Sequence, residues 1–206
     1  YEKDDVIHAL EESENIKNRL KEKNVKLVCE NVNDDKVIDL LINQNIISVH
    51  GGGSESGRRA LGNRSILADP RNPKMQERIN KVVKKREGFR PFAPSVIEGA
   101  ANRYFDNVEP IPYMNQVAKA KVQSLPAVTH IDGTSRIQTV TRESNRLYYD
   151  LLVKFNSIAG VPILLNTSFN FKDQTITMTP KQAIERFLDC EMDFLVIGNY
   201  LLLKNG

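Results

Sequence analysis

A glycine-rich stretch followed by two arginines is the first candidate for chemistry in the sequence. Residues 51–65 read GGGSESGRRALGNRS, and counting from Gly52 gives the G-x-x-x-x-G spacing of a phosphate-binding loop. The next residues are Arg58 and Arg59, where a P-loop requires Lys for the phosphates and then Ser or Thr for magnesium. The pattern therefore excludes a P-loop. It leaves either an ordinary turn or a different way of holding an anion.

Three later segments carry polar or cationic side chains that could act together. Arg90 lies between Phe89 and Pro91, and a guanidinium held by apolar neighbours is a good fork for phosphate or carboxylate. Arg136 follows the turn sequence Asp132-Gly133. The polar segment 166–170 follows an apolar strand, and ligands bind at strand ends in α/β sheets. Each segment also fits a loop, a cap or a surface ion pair. Together they predict several cations around one anion, which suits phosphoryl or adenylyl chemistry.

Other kinds of site receive little support. The histidines, His8, His50 and His130, lack metal-ligand spacing. No G-x-S-x-G nucleophile elbow occurs. The spacing of His130 and Asp132 is one that neighbouring strand residues produce by chance. No metal site is predicted in this chain.

The composition is that of an ordinary globular protein. The chain has 206 residues, 40% hydrophobic and 27% charged, with a formal net charge of +3. That charge is too small to predict nucleic-acid binding by itself. Two separated cysteines predict a reducing compartment, and no apolar run reaches membrane-spanning length. We therefore expect a cytoplasmic protein without a membrane partner.

Hydrophobic periodicity and turn residues predict a mixed α/β (α+β) fold built on one sheet. The predicted helices cover 1–24, 34–44, a segment that begins at Asn72-Pro73, 143–159 and 179–190. The predicted strands cover 46–49, 91–96, 127–131, 136–140, 161–165, 194–197 and 200–203, with 127–131 and 136–140 forming a hairpin.

Four motifs occur in an order typical of one family. They are GRRALGNRSILADPR at 57–71, KxREGFRPFAPSV at 84–96, HIDGTSRIQTV at 130–140 and NTSFN at 166–170. From about residue 40 to 204 the chain resembles the C-terminal, YrdC-like domain of the O-carbamoyltransferases. This family includes the nodulation-factor, cephamycin and tobramycin carbamoyltransferases.

The resemblance implies a fold, a reaction and partners. The fold would be a YrdC-like twisted sheet with flanking helices around a basic cavity, over residues 46–206. Residues 1–45 would be a helical connector from an N-terminal domain absent from this chain. The domain would bind ATP, with Mg²⁺ on the nucleotide, and carbamoyl phosphate, and would form carbamoyl-adenylate and pyrophosphate. A Kae1-like N-terminal domain, which holds the catalytic metal, would then transfer the carbamoyl group to an acceptor hydroxyl.

The resemblance also assigns site residues. Those implied to bind carbamoyl phosphate or nucleotide are Arg59, Lys84, Arg90, Arg136, Asn166 and Ser168, with Lys84 and Arg90 as the catalytic pair. Two departures from the family pattern stand beside them. Ser56 and Arg58 replace an aromatic and a proline, and Asp173-Gln174 stands where the family often has Gly-Glu.

Two alternatives to the carbamoyltransferase remain open. These departures motivate a nucleotide-binding module that has lost its chemistry. Some YrdC-like domains act in tRNA modification, which raises RNA binding as a further alternative. RNA recognition requires stacking aromatics on a basic face. The aromatics in this sequence are mostly at core positions or beside prolines, so a nucleic-acid partner is disfavoured.

Overall fold

A nine-stranded mixed sheet organises the protein. The computed structural model describes residues 3–11, 13–55 and 57–204. The strands are β1 (Val25–Glu30), β2 (Ile47–His50), β3 (Arg64–Ala68), β4 (Ala93–Ile97), β5 (Gln116–Lys119), β6 (Thr134–Val140), β7 (Ile163–Ser168), β8 (Phe194–Ile197) and β9 (Tyr200–Lys204). The helices are α1 (Lys3–Glu11), α2 (Glu14–Glu22), α3 (Asp34–Ile42), α4 (Met75–Ile79), α5 (Ala101–Tyr104), α6 (Arg146–Ala159) and α7 (Pro180–Asp189), with a π-helical turn at Asn80–Lys84 and a 3₁₀ turn at Glu98–Ala100.

The strands lie in the order β1-β9-β8-β2-β3-β7-β4-β6-β5. The pairs β2–β8 and β4–β6 are parallel, and the other neighbours are antiparallel. In the centre, Asn166 of β7 pairs with Leu67 of β3 on one side and with Ala93 of β4 on the other. This register places the polar end of β7 between two strands in the middle of the sheet. The buried Asn166 side chain must therefore form its hydrogen bonds within the protein.

Helices cover both faces of the sheet. Side chains alternate between the faces along a strand, so Ile66 and Leu67 enter different hydrophobic clusters. One cluster joins the sheet to α1, α2, α4 and α7. The other joins it to α3 and α6. Ser13 caps α2, Thr179 caps α7, and Gly160 ends α6 in the left-handed conformation. The result is a sheet between two helical layers.

Most elements predicted from the sequence are present. The predicted helices at 34–44, 143–159 and 179–190 correspond to α3, α6 and α7, and the last two strands correspond to β8 and β9. The helix predicted to begin at Asn72 begins at Met75. The Asn72 side chain accepts a hydrogen bond from the Lys74 amide at 2.9 Å in the preceding turn.

The predicted hairpin of 127–131 with 136–140 is wrong. Strand β6 pairs with β5 on one side and with β4 on the other, so its backbone groups are already used. Residues 127–131 form turns, and the Ser135 hydroxyl donates to the Val128 carbonyl at 2.8 Å. Strand β5 was not predicted, because it has only four residues, of which two are polar and three are exposed.

The first 45 residues contain more than the predicted helices. The single helix expected over 1–24 is divided into α1 and α2, which pack against α7. Strand β1 follows α2 and forms an edge of the sheet by pairing with β9. Leu27 and Val28 of this strand are exposed. That this segment connects to a preceding domain stays a prediction.

Candidate active site

Five arginines converge on one cavity of about 280 Å³ at the end of the sheet formed by β7, β4 and β6. Arg58 and Arg59 come from the glycine-rich loop, Arg86 and Arg90 precede β4, and Arg136 lies on β6. The uncharged lining residues are Ala60, Pro91, Phe92, Ala93, Met114, His130, Asn166, Thr167 and Ser168. None of the described lining residues is acidic, so the cavity is suited to an anion.

The arginines in this cavity raise one another's electrostatic energy. Burial lowers the pKa of the Arg136 guanidinium, and nearby Arg59 lowers it further. Burial also lowers the pKa of Arg86, and the charges of Arg90 and Arg136 add to the effect. Guanidinium groups remain protonated at neutral pH, so the repulsion is present in the folded protein. A bound anion would relieve it.

The cavity arginines differ in how firmly the protein holds them. Arg86 donates from Nε to Asn80 Oδ1 at 2.7 Å and lies over the Phe92 ring, 5.2 Å from its centre. Arg90 forms an ion pair with Glu87 at 2.8 Å. The Nε of Arg136 is buried without a hydrogen-bond partner among the described residues. A buried donor without a partner is costly, and a ligand could supply its acceptor.

The glycine-rich loop is held from inside the protein. The Glu55 carboxylate accepts hydrogen bonds from the amides of Leu61, Asn63 and Arg64 at 2.9, 2.8 and 3.2 Å. The buried Arg64 side chain donates to the carbonyls of Gly51 and Gly52. These contacts tie Gly51, Gly52 and Glu55 to residues 61–64. The loop therefore presents Arg58 and Arg59 to the cavity from a fixed frame.

A buried network of amides supports the floor of the cavity. Asn166, only 1% exposed, donates from Nδ2 to Gln138 Oε1 at 3.0 Å, to Ser95 Oγ at 3.0 Å and to the Ala60 carbonyl at 3.2 Å. Gln138 donates from Nε2 to the Leu61 carbonyl at 3.0 Å, and the Ser95 hydroxyl donates to Gln138 Oε1 at 2.6 Å. This network ties β4, β6 and β7 to the glycine-rich loop.

Lys84 does not line the cavity. It is 3% exposed, and its Nζ donates to the Ser168 carbonyl and, at 3.0 Å, to both the carbonyl and Oδ1 of Asn170. Burial lowers the pKa of this amine well below its usual value, and Arg86 and Arg186 lower it further. The geometry makes Lys84 a residue that positions the end of β7. The predicted catalytic role of Lys84 is not tested by this placement.

The other five predicted site residues lie together, and their roles stay a prediction. Arg59, Arg90, Arg136, Asn166 and Ser168 all line the cavity. Sequence reasoning did not assign Arg58, Arg86 or His130 to the site, although all three lie in the four segments that carry the family resemblance. A cationic or polar side chain within one of these segments was the signal that could have identified each of them as a lining residue. Among the departures from the family pattern, Ser56 lies outside the described residues, and Asp173 and Gln174 are exposed and away from the cavity lining.

Metal-binding clusters and membrane-spanning helices are both missing from the described residues. These residues contain no group of three or more His, Cys, Asp and Glu side chains arranged to hold a metal ion. In the same part of the chain, no helix combines the length and apolar character needed to cross a bilayer.

Comparison with known proteins identifies relatives. A family model described as the carbamoyltransferase C-terminus matches residues 38–204. Nodulation protein NolNO of Sinorhizobium fredii is 51% identical over 159 residues, which are 74% of this chain and 23% of that protein. Nodulation protein NolO of Bradyrhizobium diazoefficiens is 47% identical over 172 residues, which are 81% of this chain and 31% of that protein.

A solved structure shares the fold. Full-length HypF in its phosphate- and nucleotide-bound form matches with a TM-score of 0.58 at 16% identity, over 81% of this chain and 25% of HypF. The match confirms the predicted YrdC-like mixed α/β fold. The chain spans between 23% and 31% of the length of the two nodulation proteins. The family match and these identities, over most of the chain, support a transferase. The chain belongs to the family of carbamoyltransferase C-terminal domains.

Proposed function

We propose that the arginine-lined cavity binds ATP and carbamoyl phosphate and forms carbamoyl-adenylate. The balanced reaction consumes one water, because both substrates lose a phosphorus-containing leaving group. Water and carbamoyl phosphate give carbamate and phosphate. A carbamate oxygen then attacks the α-phosphorus of ATP and displaces pyrophosphate. The products are carbamoyl-adenylate, pyrophosphate and phosphate.

The convergence of five arginines on one cavity carries this proposal. Carbamoyl phosphate and ATP are both strongly anionic, and their mutual repulsion opposes the reaction. Fixed guanidiniums offset that repulsion and stabilise the charge that builds on the α-phosphoryl group. The bound phosphate and nucleotide named for HypF, which shares this fold, are consistent with such a site.

The described residues suggest how the parts of the site would divide the work. Arg136, with its unpaired Nε, and Arg59 beside it would bind phosphate oxygens. Arg86 and Arg90 would neutralise the leaving group. Thr167 and Ser168 at the end of β7 would supply hydroxyls to the ligand. Lys84 would keep that end of β7 in place through its carbonyls.

Magnesium would reach this site with the nucleotide. Mg²⁺ prefers oxygen ligands, and the described lining contains hydroxyls and one amide but no carboxylate. The phosphates of ATP would therefore supply most of its charged ligands. When bound, the ion would neutralise charge on the phosphate chain. The residues themselves bind and orient the anions.

The complete transfer would need more than this chain. Its nodulation relatives are three to four times as long as the matched segment. We propose that a Kae1-like N-terminal domain holds the catalytic metal and passes the carbamoyl group to an acceptor hydroxyl.

Isotope exchange between ATP and labelled pyrophosphate tests the proposal. We expect exchange that requires carbamoyl phosphate, because pyrophosphate must attack an adenylate to regenerate ATP. Calorimetry on the same preparation measures ATP binding independently. ATP binding without exchange, in both the 206-residue chain and a full-length relative, would contradict the proposal and favour a nucleotide-binding module without chemistry.

A further inference from the structure

The cavity offers many hydrogen-bond donors and few acceptors. Its five arginines can only donate. From two acceptor atoms that belong to lining residues, we infer that Asn166 Oδ1 and His130 Nε2 recognise the amino group of the carbamoyl moiety and select carbamoyl phosphate over other acyl phosphates. This inference rests on the proposed function and adds the residues that set its specificity.

The surrounding carbonyl groups fix the orientation of the Asn166 amide. The Leu61 carbonyl can only accept, so it must face the amino group of Gln138, at 3.0 Å. Gln138 Oε1 then faces Asn166, and the Ala60 carbonyl lies beside the same Asn166 atom. That atom must therefore be Nδ2. Asn166 Oδ1 is consequently left buried, without a hydrogen-bond partner among the described residues.

Hydrogen-bond geometry also fixes the tautomer of His130. The Thr134 hydroxyl donates its one proton to Asp132 Oδ1 at 2.7 Å. Toward His130 Nδ1, 3.2 Å away, the same oxygen can then only accept. Nδ1 must carry the proton, and Nε2 of the neutral ring presents a lone pair. Burial lowers the pKa of His130 and outweighs the nearby Asp132 carboxylate, which raises it, while Arg136 also lowers it; the neutral ring is therefore favoured at neutral pH.

A carbamoyl group matches two acceptors because its nitrogen carries two protons. Acetyl phosphate has nearly the same shape but a methyl group in place of the amino group. In its complex, Asn166 Oδ1 would stay unpaired and His130 Nε2 would lose water without gaining a partner, which is costly for a buried polar atom. Sites built to bond an N–H or O–H group reject analogues that lack it far better than apolar pockets reject isosteres.

Calorimetric titration of the 206-residue chain with carbamoyl phosphate, acetyl phosphate and inorganic phosphate tests the inference. We expect the wild type to bind carbamoyl phosphate at least about tenfold more tightly than acetyl phosphate. His130→Phe keeps a ring but removes Nε2, and should reduce this preference by about tenfold. It should leave the inorganic phosphate affinity within about twofold, which also shows that the site is folded. His130→Gln, whose amide oxygen can replace Nε2, should retain most of the preference.

The outcomes separate this inference from the proposed function. Tight binding of all three ligands without preference for carbamoyl phosphate would overturn the acceptor assignment and leave the anion site in place. Binding of none of them would overturn both. The adenine amino group is the other amine in the reaction. If His130→Phe changed the preference for ATP over inosine triphosphate but left the acyl phosphate preference intact, the acceptors would serve the nucleotide and the inference would fail.

Discussion

Arg136 shows how much a single residue can contribute to the site. Its Nε is buried without a partner among the described residues, and its pKa is lowered by burial and by Arg59. The folded protein therefore holds a partly desolvated guanidinium, and no group among the described residues offsets the free-energy cost of burying its Nε. Such an arrangement is typical of a binding site, where the ligand provides the missing interaction.

Replacing Arg136 tests this role directly. Arg136→Met should lower the rate of carbamoyl phosphate-dependent ATP–pyrophosphate exchange by about 10²–10³, the usual loss for one transition-state contact. The free energy of unfolding should stay equal or rise, because a half-buried guanidinium with an unsatisfied Nε is removed. Arg146→Met is the matched control, since that side chain is 72% exposed on α6. Wild-type exchange in Arg136→Met would place the chemistry elsewhere.

Lys84 belongs to the same scale but acts through other residues. Lys84→Met should lower the free energy of unfolding by about 1–3 kcal/mol, because the carbonyls of Ser168 and Asn170 lose their donor. Affinity for ATP should fall with it, as the end of β7 loosens. Chemical denaturation and calorimetry measure the two effects. Lys81→Met, one turn earlier and exposed, should change neither. A loss of exchange with stability unchanged would instead indicate direct contact between Lys84 and a substrate.

At the scale of elements, the glycine-rich loop depends on close packing against α6. Gly62 has φ +116°, and a Cβ at this position would lie 2.4 Å from Tyr148 Cδ1. Only glycine fits both the backbone conformation and the space. The same loop carries Arg58 and Arg59 to the cavity. Its position therefore couples the packing of α6 to the geometry of the site.

Substituting two glycines of this loop separates packing from flexibility. Gly62→Ala should lower the free energy of unfolding by at least about 1–3 kcal/mol and weaken anion binding, because strain and overlap displace the loop. Gly53→Ala should be nearly neutral, because a Cβ there would meet no atom within 4 Å and the φ of Gly53 is not positive. Thermal unfolding with and without pyrophosphate measures both effects. Equal stability of the two variants would show that the loop tolerates displacement.

Local patterns predicted the elements that local contacts determine. The apolar stripe of α6, with Gly160 after it, and the short apolar strand β7 were both recognisable in the sequence. Strand β1 was not, because it is a half-exposed edge strand whose partner β9 lies near the other end of the chain. The hairpin predicted between 127–131 and 136–140 was wrong for a related reason. Both edges of β6 are already paired, one with β4 and the other with β5.

Site residues followed the same division. The motifs predicted Arg59, Arg90 and Arg136 as site residues. The structure places all three side chains in the lining of the cavity. The amide network of Ser95, Gln138 and Asn166 joins three strands, and no spacing in the sequence reveals it. The position of Lys84 behind the site also depends on tertiary packing. The motif contained the residue, but it did not show that its side chain would contact the end of β7 and not the cavity.

At the scale of the whole molecule, a buried histidine in the central sheet links folding to pH. His50 ends β2, pairs with Arg64 of β3 and Ile197 of β8, and is 1% exposed. Burial lowers its pKa from 6.5 to about 3, and the charge of Arg64 contributes. His50 therefore binds a proton below pH 6.5 in the unfolded chain but only below about pH 3 in the folded protein.

The sign of this linkage gives a prediction. The stability contributed by neutral His50 is present above pH 6.5 and is lost as the pH falls from 6.5 to about 3, by about 1.4 kcal/mol per pH unit. His50→Gln should flatten this part of the stability curve, although its stability at neutral pH is expected to be lower. Urea denaturation across about pH 4–8 measures the difference, with exposed His8→Gln as control. Parallel curves for wild type and His50→Gln would refute it.

The cluster of like charges at the end of the central strands has a practical consequence for handling the protein. A cavity lined by arginines should bind sulfate, phosphate or citrate from a buffer. The oxygens of these anions reduce the repulsion between the guanidinium groups. Titrations in such media will report competition and understate intrinsic affinity. Preparations exchanged into chloride salts of organic buffers should melt at lower temperatures and respond more strongly to added nucleotide.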